Sequence, residues 1–308
     1  MEWKDVDWQV LRTLRDRFLN PAPGDYWLSQ RELEHYDLAF APRIGAKWQE
    51  IAERLAKSVR STGPWEILDW GCGTGIASRV LVEAVGAEGV EKVSLWDRSP
   101  LARRFAAERL GARGVSTSEN RGRPPEGRYL LLISHVANEL DAKAYQSLRP
   151  FLDNAAAWIW LEPGTPSASQ RLIEEREKRR ADWEFVLPCP HSSVCGLVGN
   201  SQDWCHQFAA PPSEFFTQSE WVHFGKEMGI DLRSLPVSFL AAAKPGLWTR
   251  SHSNVQLGRA SVSKSHAKAL VCDESGVRER SVRVHSKKEG DRYRGAGLIQ
   301  EWKEKPRE

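Results

Sequence analysis

Two groups of residues have the types and spacing to do chemistry. The first is Asp69-Trp70-Gly71-Cys72-Gly73-Thr74-Gly75, a carboxylate followed by glycines at alternate positions. Residues without side chains let a ligand approach bare backbone, and N–H groups at the start of a following helix would face a polar or anionic group. The spacing is D-x-G-x-G-x-G, which differs from the G-x-G-x-x-G of dinucleotide binders. The second group is Cys189, Cys195 and Cys205, three of the five cysteines in the chain, with His191 and His206 beside them. Thiolates gathered in a Pro- and Gly-containing loop suit Zn²⁺ or an iron–sulfur cluster. Their spacings, C-x₅-C and C-x₉-C, are wider than the C-x₂₋₄-C pairs of zinc ribbons and favour a cluster cage over a zinc ribbon. Three buried, unligated cysteines are the plain alternative.

These residues need a scaffold, and the flanking sequence supplies one. After the break at Gly63-Pro64, Ile67-Leu68 read as a buried parallel strand, and a helix-compatible run covers 76–85. Val93-Ser94-Leu95-Trp96 is a short apolar strand ending in Asp97. An acid at the end of a second strand can accept hydrogen bonds from both ribose hydroxyls of a nucleoside, or cap the next helix. Ser99-Pro100 then opens a helix over 101–110. A weak third strand is expected at 114–117 and a strong fourth at 129–134, running into His135-Val136-Ala137-Asn138-Glu139. Groups just past the carboxyl ends of parallel strands face the ligand crevice. Ser134, His135, Asn138 and Glu139 are therefore candidate site residues; the alternative is a cap followed by a helix surface. A fifth strand at 157–161 and a charged helix over about 168–180 continue the alternation. The order predicts an α/β Rossmann-like sheet carrying an N-terminal helical cap, a Cys/His metal-binding insertion and a small C-terminal β module. With its glycine loop and spaced acid, it resembles class I S-adenosylmethionine (SAM) methyltransferases, which implies that Asp69, Gly71, Gly73, Gly75, Asp97 and Ser134 bind SAM.

The ends of the chain read differently. Val10, Leu11, Leu14 and Phe18 recur at helical spacing, Asn20-Pro21-Ala22-Pro23-Gly24 interrupts, and a second helix starts near Ser29 with Glu32 in capping-box position. A third runs through Trp48, Ile51, Ala52 and Leu55. The expected division is a helical region at 1–62, a SAM-binding domain at 63–245 containing the Cys/His segment 185–208, and a small antiparallel β module at 246–308. A helix at 219–228 and a strand at 236–240 precede that module, whose strand-like pieces lie at 258–262, 268–272 and 280–284. Residues 244–308 hold 15 Lys+Arg against 8 Asp+Glu, whereas the remainder holds 29 against 33. A basic end on a near-neutral body points to an anionic partner, RNA first, or else to a solvated surface. Arg259, Lys264, Lys268, Arg278, Arg280, Arg283, Lys287 and Lys288 are expected to line one phosphate-facing surface. No apolar run approaches the roughly 20 residues of a membrane span, and no signal-peptide apolar stretch follows Met1. The cytoplasm is the expected location, where disulfides are not. Oligomeric state is not legible.

The Cys/His segment carries a closer resemblance. Pro188-Cys189-Pro190-His191, Cys195 and Trp204-Cys205-His206, preceded by Glu162-Pro163-Gly164-Thr165-Pro166, are similar to the small-ribosomal-subunit methyltransferase-like family. That family includes mitochondrial methyltransferase-like protein seventeen and its yeast small-subunit counterpart. The resemblance covers about residues 30–300. It implies a SAM-type domain, association with the small ribosomal subunit during assembly, and a [4Fe–4S] cluster on Cys189, Cys195, Cys205 and Cys272. His191 and His206 would then support the cluster, or ligate zinc in the alternative. Gly196 stands where the family often has proline, and Gln207 displaces a phenylalanine; neither change removes a ligand. Three functions follow: a SAM-binding assembly factor that holds ribosomal RNA, an RNA methyltransferase in which His135, Asn138 or Glu139 aligns the acceptor, and a small-molecule methyltransferase with structural zinc. No N-P-P-[YF] tetrapeptide is present to hold a base amine, so the loop favours SAM binding more than it favours catalysis.

Overall fold

Three helices open the chain: α1 (Trp8–Leu19), α2 (Gln30–Ala39) and α3 (Ala41–Thr62). The computed structural model describes residues 1–20, 27–136, 140–295 and 297–303, which gather into two compact units. One unit is Met1–Ala156 with Pro211–Leu235; the other is Ala157–Ala210 with Pro236–Glu308. The expected boundary at 62/63 falls at the end of α3 and that at 245/246 in a turn, while compactness groups the elements differently.

In the first unit, side-chain caps set the helix starts. Asp7 accepts the N–H of Gln9, and Ser29 accepts that of Glu32. Glu32 does not close the expected capping box; its carboxylate takes the N–H of Leu28 and the guanidinium of Arg17 instead. After α3 come β1 (Trp65–Trp70), α4 (Ile76–Val85), β2 (Val90–Trp96), α5 (Pro100–Gly111), β3 (Thr117–Glu119), β4 (Tyr129–Ser134) and α6 (Ala142–Asn154). The strands run parallel in the order β3-β2-β1-β4. The third strand lies a few residues beyond its expected place at 114–117, because Ala112–Gly114 are spent on closing α5. β1 and β4 are buried almost throughout, as expected of strands covered on both faces. α3 turns Trp48, Ile51, Ala52, Leu55 and Val59 inward, and Gly45 lets α4 approach, since a Cβ there would sit 3.2 Å from Ile76 Cδ1. Each large apolar side chain so buried contributes about 1.5–3 kcal/mol over its exposed state.

The second unit begins with β5 (Ala157–Pro163), α7 (Pro166–Arg179), β6 (Glu184–Leu187) and β7 (Gln207–Ala209). The chain crosses to the first unit for α8 (Glu214–Thr217) and α9 (Ser219–Met228), then returns through β8 (Leu235–Ala243). β8 pairs antiparallel with β5 and β6, so parallel and antiparallel pairings both occur in the chain. β9 (Asn254–Val262), β10 (His266–Asp273) and β11 (Gly276–Arg283) form an antiparallel sheet with β10 central, followed by α10 (Lys287–Asp291). Alternation along β10 gives one apolar row, Ala267, Ala269 and Val271, packed with Val284, Tyr293 and Trp302. The other row carries Lys268, Leu270 and Cys272. Among the described residues, no helix is long and apolar enough to cross a membrane.

Candidate functional site

The first unit builds a cradle at the carboxyl ends of β1, β2 and β4. β1 delivers Asp69 into the interior, where Ser78 of α4 donates to its carboxylate; burial pushes its pKa up to about 6. The N–H groups of Gly71 and Cys72 donate to Trp96 O at 2.8 and 3.0 Å, closing the loop onto β2. Gly71, Gly73 and Gly75 have φ of +75°, +51° and +73°, a region costly for side chains. A Cβ on Gly71 would lie 2.6 Å from Val136 Cγ1 and one on Gly75 3.0 Å from Ala106 Cβ, whereas Gly73 meets nothing within 4 Å. The last is the open floor of the cradle. Beside it, Thr74 Oγ1 is buried without a hydrogen-bond partner among the described residues, a hydroxyl left for a ligand. Cys72 is buried in the same loop, and burial raises its thiol pKa, which makes it a small packing residue and not a nucleophile.

Asp97 ties this loop to β2. Its Oδ2 accepts the N–H of Gly73 at 2.9 Å and its Oδ1 that of Ser99 at 2.8 Å, while Ser99 Oγ itself caps α5. Capping is therefore done by Ser99, and the Asp97 carboxylate keeps acceptor capacity beyond its two backbone bonds. Burial raises its pKa.

At the end of β4, Ser134 and His135 meet two residues that no sequence motif marks. Trp48 Nε1 donates to Ser134 Oγ at 2.9 Å, and Lys47 Nζ stands 3.5 Å from His135 Nε2. Ser134 Oγ lies 3.3 Å from His135 Nδ1. Burial, Lys47 and Arg43 hold the His135 pKa well below its ordinary value, so the ring is neutral. Its Nε2 faces an ammonium, which assigns the proton to Nδ1 and the acceptor role to Nε2. His135 has φ of +56°, a conformation uncommon outside glycine and found at functional sites. The one signal for Lys47 was its position four before Ile51 and eight before Leu55, a lysine in an apolar helical row. Asn138 and Glu139 lie outside the described residues.

The second unit brings Cys189, Cys195, Cys205 and Cys272 to the wall of one cavity, with Arg176 and His191. Cys189 follows β6, Cys195 lies in the loop beyond it, Cys205 precedes β7, and Cys272 comes from β10. Side chains of α7 hold the loop: Ser169 Oγ accepts the N–H of Cys205 at 2.9 Å, and Glu177 Oε1 accepts that of Cys195 at 3.1 Å. Gly196 fits where the family often has proline because a Cβ there already meets Val277 N at 3.2 Å. Arg176 Nε donates to Cys189 Sγ at 3.3 Å, Gln207 Nε2 to Cys205 Sγ at 3.8 Å, and His191 Nε2 lies 3.5 Å from Cys272 Sγ. Burial raises all four thiol pKa values, and the neighbouring thiols push Cys195, Cys205 and Cys272 further. Four thiolates at one cavity need a compensating positive charge.

The two histidines part company. His191 stays at the cavity with Nδ1 buried and unpartnered among the described residues. His206 stacks on Trp204 at 4.6 Å and covers Gly258, outside the cavity wall. Among the described residues, no three His, Cys, Asp or Glu side chains are disposed around a single metal-ion position. The thiols share a cavity and not a preformed ion site.

The basic residues of the last segment do not form one face. Register sets Lys268 opposite Ser281 and Ala269 opposite Arg280, so Lys268 and Arg280 point to different sides. Arg278 and Arg280 pair with Asp273 at 3.0 and 2.8 Å. Although burial pushes that carboxyl upward, bonds from Ser275, Arg280 and Arg278 hold it well below the usual carboxylate range. Lys268 pairs with Glu279 at 3.5 Å, and Arg259 lies over the Phe208 ring at 4.3 Å.

With this geometry in place, comparison adds a lineage. The family described as mitochondrial small ribosomal subunit Rsm22 matches residues 35–305. None of the curated proteins is similar to the chain in sequence. Solved structures similar to it include a Thermoplasma acidophilum protein at 13% identity, covering 68% of this chain and 100% of that one with a TM-score of 0.38. A SAM-dependent methyltransferase from Aquifex aeolicus is 15% identical over 52% of this chain and 90% of its own, with a TM-score of 0.37. An rRNA methylase from Streptococcus thermophilus is 9% identical over 62% and 94%, with a TM-score of 0.36. The fold is an α/β Rossmann-like methyltransferase fold with a mixed set of strands; strand order and the glycine loop carry that assignment.

Proposed function

The chain belongs to the Rsm22 small-ribosomal-subunit family, and from that premise we propose that it is a SAM-binding, iron–sulfur protein that acts on or assembles the small ribosomal subunit by holding its RNA. The observation that carries the cluster reading is the convergence on one cavity of Cys189, Cys195 and Cys205 from one segment with the distant Cys272 of β10. The donor set fits a cluster: four thiols, apolar surroundings, and side-chain N–H groups aimed at the sulfurs. A zinc ion held by the same thiols, with His191 beside them, is the alternative occupant. Five free cysteines suit a reducing compartment, and we place the protein in the cytoplasm.

SAM would be held by the cradle. The open floor at Gly73 and the unpartnered Thr74 hydroxyl fit a ligand approaching backbone, and Asp97 retains acceptor capacity for ribose hydroxyls. Asp69 positions the loop through Ser78, and Ser134 presents a hydroxyl at the end of β4. When bound, SAM supplies an electrophilic methyl group. Methyl transfer to ribosomal RNA is the second reading, and the left-handed backbone of His135 at the end of β4, a conformation found at functional sites, supports it.

RNA binding rests on family membership and on the basic excess of residues 244–308. Cross-linking in cells is expected to recover small-subunit rRNA, and recovery of none would sink the ribosomal reading. Mass spectrometry of rRNA from a deletion strain separates the two readings. One missing methyl group would establish transfer, and an unchanged pattern would leave the assembly role.

A further inference from the structure

Among the groups around the four thiols, Arg176 is built into the fold most firmly. It lies in α7 and is 1% exposed. Its Nη2 donates to the carbonyl oxygens of His191 and Ser193 at 2.9 and 2.8 Å, so one guanidinium grips the loop between Cys189 and Cys195. Its Nη1 pairs with Glu177, and the same carboxylate accepts the N–H of Cys195. The remaining donor, Nε, points at Cys189 Sγ at 3.3 Å.

A loop clamp needs only the two carbonyls and Glu177. The Nε bond to sulfur is surplus to that role, and it puts the delocalised charge of a buried guanidinium on a ligating atom. A charge that is always present and fixed by several hydrogen bonds cannot retreat into solvent when its partner changes. A cluster on four thiolates gains one further negative charge when it takes up an electron. Charge-assisted hydrogen bonds to sulfur stabilise that reduced state, and such bonds are among the determinants of cluster potential.

We propose that Arg176 is a positioning residue that raises the reduction potential of the cluster and holds Cys189 and Cys195 in ligating geometry. The inference rests on reading the four cysteines as cluster ligands. The step concerned is one-electron reduction of [4Fe–4S]²⁺ to [4Fe–4S]⁺ by an external reductant such as dithionite, with no bond to protein broken and no proton moved.

The test uses full-length protein reconstituted anaerobically with iron and sulfide, and reads the midpoint by an EPR-monitored titration. Arg176→Met is expected to shift the reduction equilibrium at least tenfold toward the oxidised form, about 59 mV more negative for a one-electron couple. Arg176→Lys, which keeps the charge but not the geometry, is expected to fall between. A variant that loads fully with an unchanged midpoint would overturn the inference. Should Arg176→Met fail to fold or load, reduced wild-type protein carrying ¹⁵N-arginine decides. Pulsed EPR is expected to detect an arginine nitrogen coupled to the cluster, and no such coupling would overturn the proposal. Wild-type protein that takes up no cluster overturns the ligand reading itself, whereas loaded wild type with an unmoved variant midpoint overturns only the role of Arg176.

Discussion

His135 combines a left-handed backbone with a strongly depressed pKa. A histidine held neutral by burial and two cations binds fewer protons than the unfolded chain between its depressed native pKa and about 6.5. Its contribution to stability is therefore present above that value and is lost progressively as pH falls toward the depressed native pKa. Asp69, with a raised pKa, acts in the opposite sense between its unfolded value and about 6. The two separate in a difference experiment. Wild type minus His135→Gln is expected to lose unfolding free energy as pH drops from 7 to 5.5, and a flat difference would contradict the neutral assignment. Asp97 gives a second prediction. Its carboxylate organises Gly73 and keeps acceptor capacity, and a hydrogen bond to a charged group is worth about 1.5–3 kcal/mol. Asp97→Ala is expected to weaken SAM binding roughly ten- to a hundredfold by calorimetry, a range that follows from that energy. Unchanged affinity would remove Asp97 from the ribose role.

The elements were legible to the extent that their periodicity was strong. β1, β4, β5 and α9 lie where apolar runs placed them, because buried strands and amphipathic helices write their burial into sequence. β3 was misplaced because it is three residues long and nearly exposed, so no apolar pattern marks it. The glycine loop was legible because left-handed backbone demands glycine. Lys47 and Trp48 were not, because their role comes from packing α3 near the end of β4, a tertiary relation without a local signature. Alternation also explains why the basic residues of β10 and β11 divide between two faces. A prediction belongs to β10. As a ligand from a central strand, Cys272 would fasten β9, β10 and β11 to the loop bearing the other thiols, all within the second unit. Cys272→Ser is expected to lower cluster occupancy and to speed amide exchange across 254–283. Slow exchange at wild-type levels with a full cluster would exclude Cys272 as a ligand.

For the molecule as a whole, two units each present one cofactor candidate: a SAM cradle in the first, a thiol cavity in the second. Family membership makes the small ribosomal subunit the proposed partner of both. If the basic stretch 244–308 makes the proposed phosphate contacts, binding to small-subunit rRNA fragments is expected to weaken steeply between low and moderate salt. Salt-insensitive binding would contradict a phosphate-led contact. The cluster site proposed for the second unit rests on Cys189, Cys195 and Cys205 from one segment together with Cys272 of β10. Iron, acid-labile sulfide and zinc analysis of protein purified without oxygen decides whether a cluster is present. About four iron and four sulfide per chain with iron–thiolate charge-transfer absorbance are expected; colourless protein carrying one zinc, or no metal after anaerobic reconstitution, would contradict the cluster site.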